Sequence, residues 1–595
     1  MGLAYTMDTP TKVAHFGINS VISIVQDNLI EKMREHYYVQ LQEHFEPITA
    51  KVPDHRARRI TDYLNLVNRM VQKNIEAVRR APFNPDSDIY RYFELLPDSS
   101  AVKKIFTSMV QLPDGQQKAE LQDRLRNYVV PGTIDVNIMT KLDRNSYRKD
   151  GTLVEDGSDA VAAIRGYANS NLTNSSVILS AGMNPRLFGY MEKLTAFDVT
   201  ETGRFHKKIV VKVSDFRSAL IQGKMLAKKG LWVSEFRIES GLNCGGHAFA
   251  TDGFLLGPIL EEFKAKKEEL RSTLYQIYVD ALRQKNKVVL PEPHELKITV
   301  QGGIGTHEED RFLRTYYQVD GTGWGTPFLL VPEATTVDEA TLQKLCAASE
   351  HDIVLSNKSP LGVRFHYLKG STAEAERLAA IQSGKPGSPC TEKFLAMNTE
   401  FGDKPLCTAS RTYQKRKIEQ LQGMHLPEAD YKKQLNTILD KECLCVGLSN
   451  AAVTAYKLKP FKHLAGANVC PGPNLAYFNR IVSLRTMVDH IYGRGNIVAR
   501  VDRPHMFLKE LTLYVDYWMG LLEDTKTLAD QKSKAFAETF YQNLQEGIQY
   551  YRNLTENFGD EFSSMKEKVE AGISEAEHTL RNAWHGFLDK VLVTA

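Results

Sequence analysis

WVSEFRIESGLNCGGHAFATDG, Trp232 to Gly253, is the stretch whose reading decides the fold. Trp232 to Ser240 is a β-rich run of the kind a buried strand shows, and it opens into two glycines and then His247. Glycines at a strand's C-terminal end let backbone approach a flat or phosphorylated ligand, because no Cβ stands in the way. A histidine beside that gap can accept or donate a proton near neutral pH. Taken alone, the motif is accounted for equally well by a turn carrying a solvent-exposed histidine.

The downstream sequence adds two turns of the same kind. KITVQGGIGTHEED, Lys297 to Asp310, is a short β-rich run, a Gly302-Gly303 pair and a polar helix start. YYQVDGTGWGTPFLLVPEA, Tyr316 to Ala334, is another β-rich run ending in glycines and a threonine. A phosphate needs bare backbone N–H donors and a helix N-terminus, which strand-to-helix turns with glycines at their mouths supply. In a β/α barrel such a site commonly follows the last two strands, at the face that holds catalysis.

In this order, GGH after one strand, GGI after the next and GT plus Pro-Glu after the last, the chain resembles the nitronate monooxygenase and FMN-dependent enoyl-ACP reductase family, a flavin-binding TIM barrel. IDVNIMTKL (Ile134 to Leu142) is similar to its "GVN" strand, and VILSAGMNP (Val177 to Pro185) to the strand after it. KKIVVKVSDFRSALIQGKML (Lys207 to Leu226) is similar to the "KVSS…A" strand and helix, and HDIVLSNKSPLGVRFHYLKG (His351 to Gly370) to the segment that follows the barrel. The chain departs from the pattern at Asn243-Cys244, where the family has Glu-Ala, and at Trp324. Its first strand, HFGINSVISIVQD, also lacks a Gln-Gly-Pro-Met-like flavin contact.

The resemblance implies an FMN-binding α/β TIM barrel with definite site residues. Asn137 would face the isoalloxazine edge, where an amide matches the ring's N3–H and carbonyls. Lys212 would place a cation by the N1–C2 oxygen, although a lysine at a strand end also points readily to solvent. Gly245 and Gly246 would lie under the ring, while Gly302, Gly303, Gly325 and Thr326 would cradle the phosphate. His247 would stand above the ring as general acid or base. No G-x-G-x-x-G fingerprint follows a strand, so a resident nicotinamide-binding Rossmann domain is not expected.

The barrel accounts for residues 1–27 and 129–372. Residues 28–128 carry apolar side chains at helical spacing and read as a helical insertion, which must hold or adjoin the eighth strand, since only seven are visible. Residues 373–480 are a cysteine-bearing mixture of loop and helix. Residues 481–595 form a helical C-terminal region whose Tyr, Phe and Leu stripe reads as a packed bundle face.

Composition excludes several classes. Lys and Arg number 75 against 72 Asp and Glu, a net charge of +3, so nothing points to nucleic acid or a charged membrane surface. No uninterrupted apolar run reaches the roughly 20 residues of a membrane span, and the first residues show no charged stretch followed by an apolar core, so a cytoplasmic protein is expected. Seven cysteines in such a chain argue for reduced thiols or metal ligands. Five of them lie between Cys390 and Cys470, three beside Pro or Gly turns, without the C-x-x-C of zinc or ferredoxin patterns. Unrelated buried thiols and an iron–sulfur cluster both fit; the cluster set expected is Cys390, Cys407, Cys445 and Cys470, one from each segment.

The expected function is an FMN-dependent, nitronate monooxygenase-like oxidoreductase acting on a small-molecule substrate. Two rivals stay open: an enoyl-thioester reductase using NAD(P)H, and a non-catalytic flavin or electron-transfer subunit that docks a redox partner protein. A homodimer is open in either case.

Overall fold

The computed structural model describes residues 4–148, 150–461, 464–523, 530–556 and 563–594. Seven strands form one parallel sheet in chain order: β1 Ser20–Ser23, β2 Ile134–Asn137, β3 Ser175–Leu179, β4 Lys207–Val213, β5 Val233–Glu239, β6 Lys297–Gln301 and β7 Gly321–Gly323. All seven are the runs expected from sequence. The central strands are buried along nearly their whole length, as in β4, where Ile209, Val210, Val211 and Val213 are buried. Such continuous burial fits a parallel sheet covered on both faces.

Helices at Asp159–Ala168, Pro185–Met191, Phe216–Ala227, Leu256–Gln284 and His307–Thr315 alternate with β2 to β7. Their starts are legible in sequence. Asp215 accepts the Ser218 N–H at 2.6 Å and so caps the helix at Phe216, and Thr306 caps the helix at His307 through the Glu309 N–H.

The eighth strand expected in or beside the insertion is not there. Among the described residues, 28–128 contain helices only, at Asp27–Gln40, His55–Arg80, Asp88–Glu94, Ala101–Gln111 and Gln116–Arg126. Among the described strands, β7 pairs with β6 and β1 with β2, and no strand joins the two edges. The fold is therefore an α/β fold built on a curled seven-stranded parallel sheet, a half-barrel, and full TIM-barrel closure is not observed. The reason lies after β7. That strand is only Gly-Thr-Gly, and Pro327, which has no N–H to give a ladder, leads into a short 3₁₀ turn. The gap is bridged instead by side chains and single backbone bonds: Thr336 N–H donates to Tyr5 O at 3.0 Å and Thr9 Oγ1 to Ala334 O at 2.7 Å. The next β-rich run, β8 (Ile353–Ser356), turns away and pairs with β9 (Phe365–Leu368) as an antiparallel hairpin.

The C-terminal stripe is a packed face, as read. Helices Met506–Leu522, Gln531–Glu556 and Ser563–Thr594 bury Tyr514, Trp518, Phe540, Leu544, Tyr551 and Leu580 against one another and the sheet's helices. Residues 524–529 and 557–562 of that stretch lie outside the described residues. Among the described residues no helix is long and apolar enough to cross a membrane.

Candidate functional site

A cavity of about 1190 Å3 opens over the C-terminal ends of β1 to β5. Parallel strands deliver their last side chains and following loops to one end of a sheet, and Ser23, Asn137, Lys212 and Glu239 arrive there from β1, β2, β4 and β5. Of the expected residues, Asn137, Lys212, Gly245, Gly246 and His247 all line this one cavity. The Asn137 amide is steered by a 3.3 Å hydrogen bond from its Nδ2 to Ser23 Oγ.

Lys212 is not a stray solvent lysine. It pairs with Glu239 at 3.3 Å, and Gln301 donates its amide to the same carboxylate. Burial alone would push the Glu239 carboxyl up, but Lys212 and the Gln301 hydrogen bond outweigh it and hold it below the usual range.

His247 stands in a bridge of backbone bonds to β9: Ala248 N–H donates to Arg364 O at 3.0 Å and His366 N–H to Gly246 O at 2.9 Å. Its Nε2 meets Ser359 Oγ at 2.7 Å. Leu361 N–H donates to that same oxygen at 3.2 Å, which fixes the hydroxyl beside the ring. Ser359 is fully buried and serves the histidine rather than any substrate. Burial, helped by the Lys141 charge, pushes His247 down to about 4, so the imidazole is neutral at ordinary pH.

The glycines differ in what they permit. Gly246 has φ +85 and open space where a Cβ would stand, leaving bare backbone toward the cavity. A Cβ on Gly245 would lie 2.5 Å from Cys470 O, so that turn is glycine because the Cys470–Gly472 segment presses on it.

The structure does not bring Gly302, Gly303, Gly325 and Thr326 into the cavity. They lie outside its lining: Gly302, Gly303 and Thr326 are half-buried against other segments, and Gly325 is exposed. Arg503 Nη2 donates to Gly303 O at 2.8 Å, Asn474 Nδ2 to Ile304 O at 2.9 Å, and Gly472 N–H to Thr326 Oγ1 at 3.0 Å. The helix that begins at His307 carries Glu308, Glu309 and Asp310 in its first turn, acids that already complement its N-terminal dipole. His307 Nδ1 is engaged with Ile491 O at 2.9 Å.

The cysteines sort differently from the expected set. Cys390, Cys407, Cys443 and Cys445 line one small pocket; Cys470 lies against the Gly245 turn and, together with Cys445, lines the large cavity. Cys443 joins Cys445 at the start of the short helix Leu444–Gly447, where Cys443 is the N-cap residue. Among the described residues, no three His, Cys, Asp or Glu side chains stand ready to share a metal ion.

Sequence reasoning missed Glu239, Ser359 and the C-terminal contribution. Asn543, Glu546, Gly547 and Tyr550 line the cavity from helix Gln531–Glu556, and Asn543 Nδ2 donates to Asp252 O at 2.8 Å. Their spacing is that of one helix face, beside the buried stripe Phe540, Leu544, Ile548 and Tyr551.

No protein-family model matches this chain, and no curated protein matches its sequence. Among solved structures it is similar to the enoyl reductase domain of MlnA from the macrolactin biosynthesis cluster of Bacillus amyloliquefaciens, at 13% identity, over 76% of this chain and 88% of that one, with a TM-score of 0.29. A likeness this loose carries no inference, and function is argued from the site's own residues.

Proposed function

We propose that the protein is an FMN-dependent oxidoreductase acting on a small organic substrate at the cavity over β1 to β5. The observation that carries this reading is the meeting of Asn137, Lys212, Gly246 and His247 on one cavity wall. Those groups fit a flavin ring: an amide able to donate and accept at its edge, a cation for the electron-rich pyrimidine end, and bare backbone where the ring lies flat. The phosphate end departs from the family pattern, since Arg503 bonds to Gly303 and Gly472 to Thr326, and none of the four cup residues lines the cavity. Within the cavity, Lys141 and Arg217 are the cations that would meet a phosphate, and Ser180 and Ser214 the hydroxyls.

FMN, when bound, supplies hydride and single-electron transfer. The chain's own residues do the rest. Lys212, anchored by Glu239, favours negative charge at the ring's pyrimidine end. Neutral His247 carries one ring proton to exchange with the substrate, its Nε2 held by Ser359. Phe249, Phe254, Leu361, Val363, Phe394 and Met397 give the cavity an apolar wall, of which Phe249, Phe254 and Met397 are exposed. That wall favours a second reading, reduction of an enoyl thioester, whose acyl chain would lie along it.

The test is the visible spectrum of the purified protein, followed by heat release and chromatography of any flavin. Bound FMN, or its uptake by colourless protein, is expected. A chain that neither holds nor takes up FMN refutes the assignment.

A further inference from the structure

Four of the seven cysteines, drawn from three separate segments, surround a single void of about 10 Å3. Each segment is shaped to aim its thiol there. Cys390 has φ +46 and Lys393 φ +59, left-handed turns that fold the loop back on itself. That loop is stitched to the Cys407 turn by Ser388 N–H to Ala409 O and Arg411 N–H to Ser388 O, both 2.9 Å. Cys443 and Cys445 enter from the start of helix Leu444–Gly447.

Cys244 stands apart from these four, its S–H directed at Gln301 O at 3.7 Å. The surrounding segments form a core of their own, in which Leu395, Ala409, Leu444 and Leu448 join Phe365, Tyr367 and Cys470 apart from the main core.

We propose that Cys390, Cys407, Cys443 and Cys445 form a four-thiolate site for a soft, thiophilic metal centre, either a zinc ion or an iron–sulfur cluster. The site is additional to the flavin reading and does not depend on it. In the present arrangement no three of the sulfurs converge on one point, so loading draws them together or spreads them around a cluster. Cys390 and Cys443, the two half-buried members, have the room to swing between staggered rotamers. Metal binding here would add folding free energy to the small core that these segments share.

The test is zinc, iron and acid-labile sulfide analysis of the full chain purified without oxygen. Near-stoichiometric zinc without sulfide identifies a single ion, and iron with sulfide identifies a cluster; either supports the site. Neither metal in the wild-type chain overturns it, as does a Cys390–Cys407 disulfide found by mass spectrometry in its place. Cys390→Ser/Cys443→Ser should lose at least tenfold of the bound metal while Cys346→Ser keeps it, and retention by the double variant overturns the proposal. Should the double variant fail to fold, alkylation of the wild type decides. The four cysteines should resist labelling until a strong chelator is added, with Cys346 labelled alike in both states. Equal labelling of the four before and after chelation overturns the site.

Discussion

Replacing Glu309 with glutamine tests how the covered glycine turn is held. The Glu309 carboxylate receives Arg503 Nη1 at 2.8 Å and Nη2 at 2.9 Å, together with Gly305 N–H at 2.8 Å and Met506 N–H at 2.7 Å. Arg503 adds bonds to Asn474 Oδ1 at 2.9 Å and Gly303 O at 2.8 Å. The two side chains are 2% and 6% exposed, so the pair is isolated from water. Burial would push the Glu309 carboxyl up; Arg503, His505 and these hydrogen bonds outweigh it and hold it below the usual range. Glu309→Gln keeps the shape but strips the charge that Arg503 answers, and an uncompensated buried charge costs about 3–5 kcal/mol. Arg503→Met should cost less, because two backbone N–H groups still satisfy Glu309. The double variant Glu309→Gln/Arg503→Met leaves neither charge and should be more stable than the sum of the single losses implies. Urea unfolding followed by circular dichroism measures all three. If the double variant equals the sum of the singles within about 0.5 kcal/mol, or Glu309→Gln is indistinguishable from wild type, the pair does not hold the turn.

The other expectations concern the cavity and pH. His247→Ala should retain flavin but lose turnover by on the order of a hundred- to ten-thousand-fold, and Ser359→Ala should lose less while altering the pH profile; unchanged steady-state rates in the histidine variant would leave His247 a shape-filling residue. Burial raises Glu510 to about 7 against its ordinary 4.5, beyond what bonds from Ser240, Leu256 and Tyr551 can offset. The folded chain therefore keeps a proton that the unfolded chain gives up above 4.5, and stability falls as pH rises through that window. Glu510→Gln should then gain on wild type in thermal melts between about pH 5 and pH 8, and a constant difference would contradict the shift. Burial also pushes His366 and His505 down to about 4. Below about 6.5 the unfolded chain takes up protons that the folded one refuses, so stability should drain away toward about pH 4, at about 1.4 kcal/mol per unit of depression for each histidine. His366→Gln should flatten that decline, and melts of equal slope would refute it.

How much was legible in the sequence follows from the range of the forces involved. The seven strands could be read because each ends in a turn whose glycines or capping residues act locally, as at Asp215 and Gly246. Asn137, Lys212 and His247 could be placed together because parallel strands carry their ends to one side of a sheet. The missing eighth strand could not be read, because closure here is made by contacts between Tyr5 or Thr9 and residues 334–336, which no local pattern announces. Glu239 stood in the quoted strand unremarked; its role depends on meeting Lys212 from a neighbouring strand. Cys443 was left out because the expected set takes one cysteine from each segment, whereas the structure lines one small pocket with both Cys443 and Cys445. Arg503, which covers the glycine turn, comes from a segment far along the chain with no motif of its own.

The bond between Asn543 and Asp252, and the one from Tyr5 to Asn468 that fastens the first segment, have a consequence for biosynthesis. At about 5–20 residues per second a ribosome needs roughly half a minute to two minutes for a chain of this length. The strands emerge early, but the wall supplied by Asn543 to Tyr550 emerges almost last. For most of translation the nascent sheet must stand with its apolar pocket uncovered and its two edges unjoined. A ribosome stalled before Gln531 would therefore display an open, sticky intermediate, the form in which chaperones would first meet this protein.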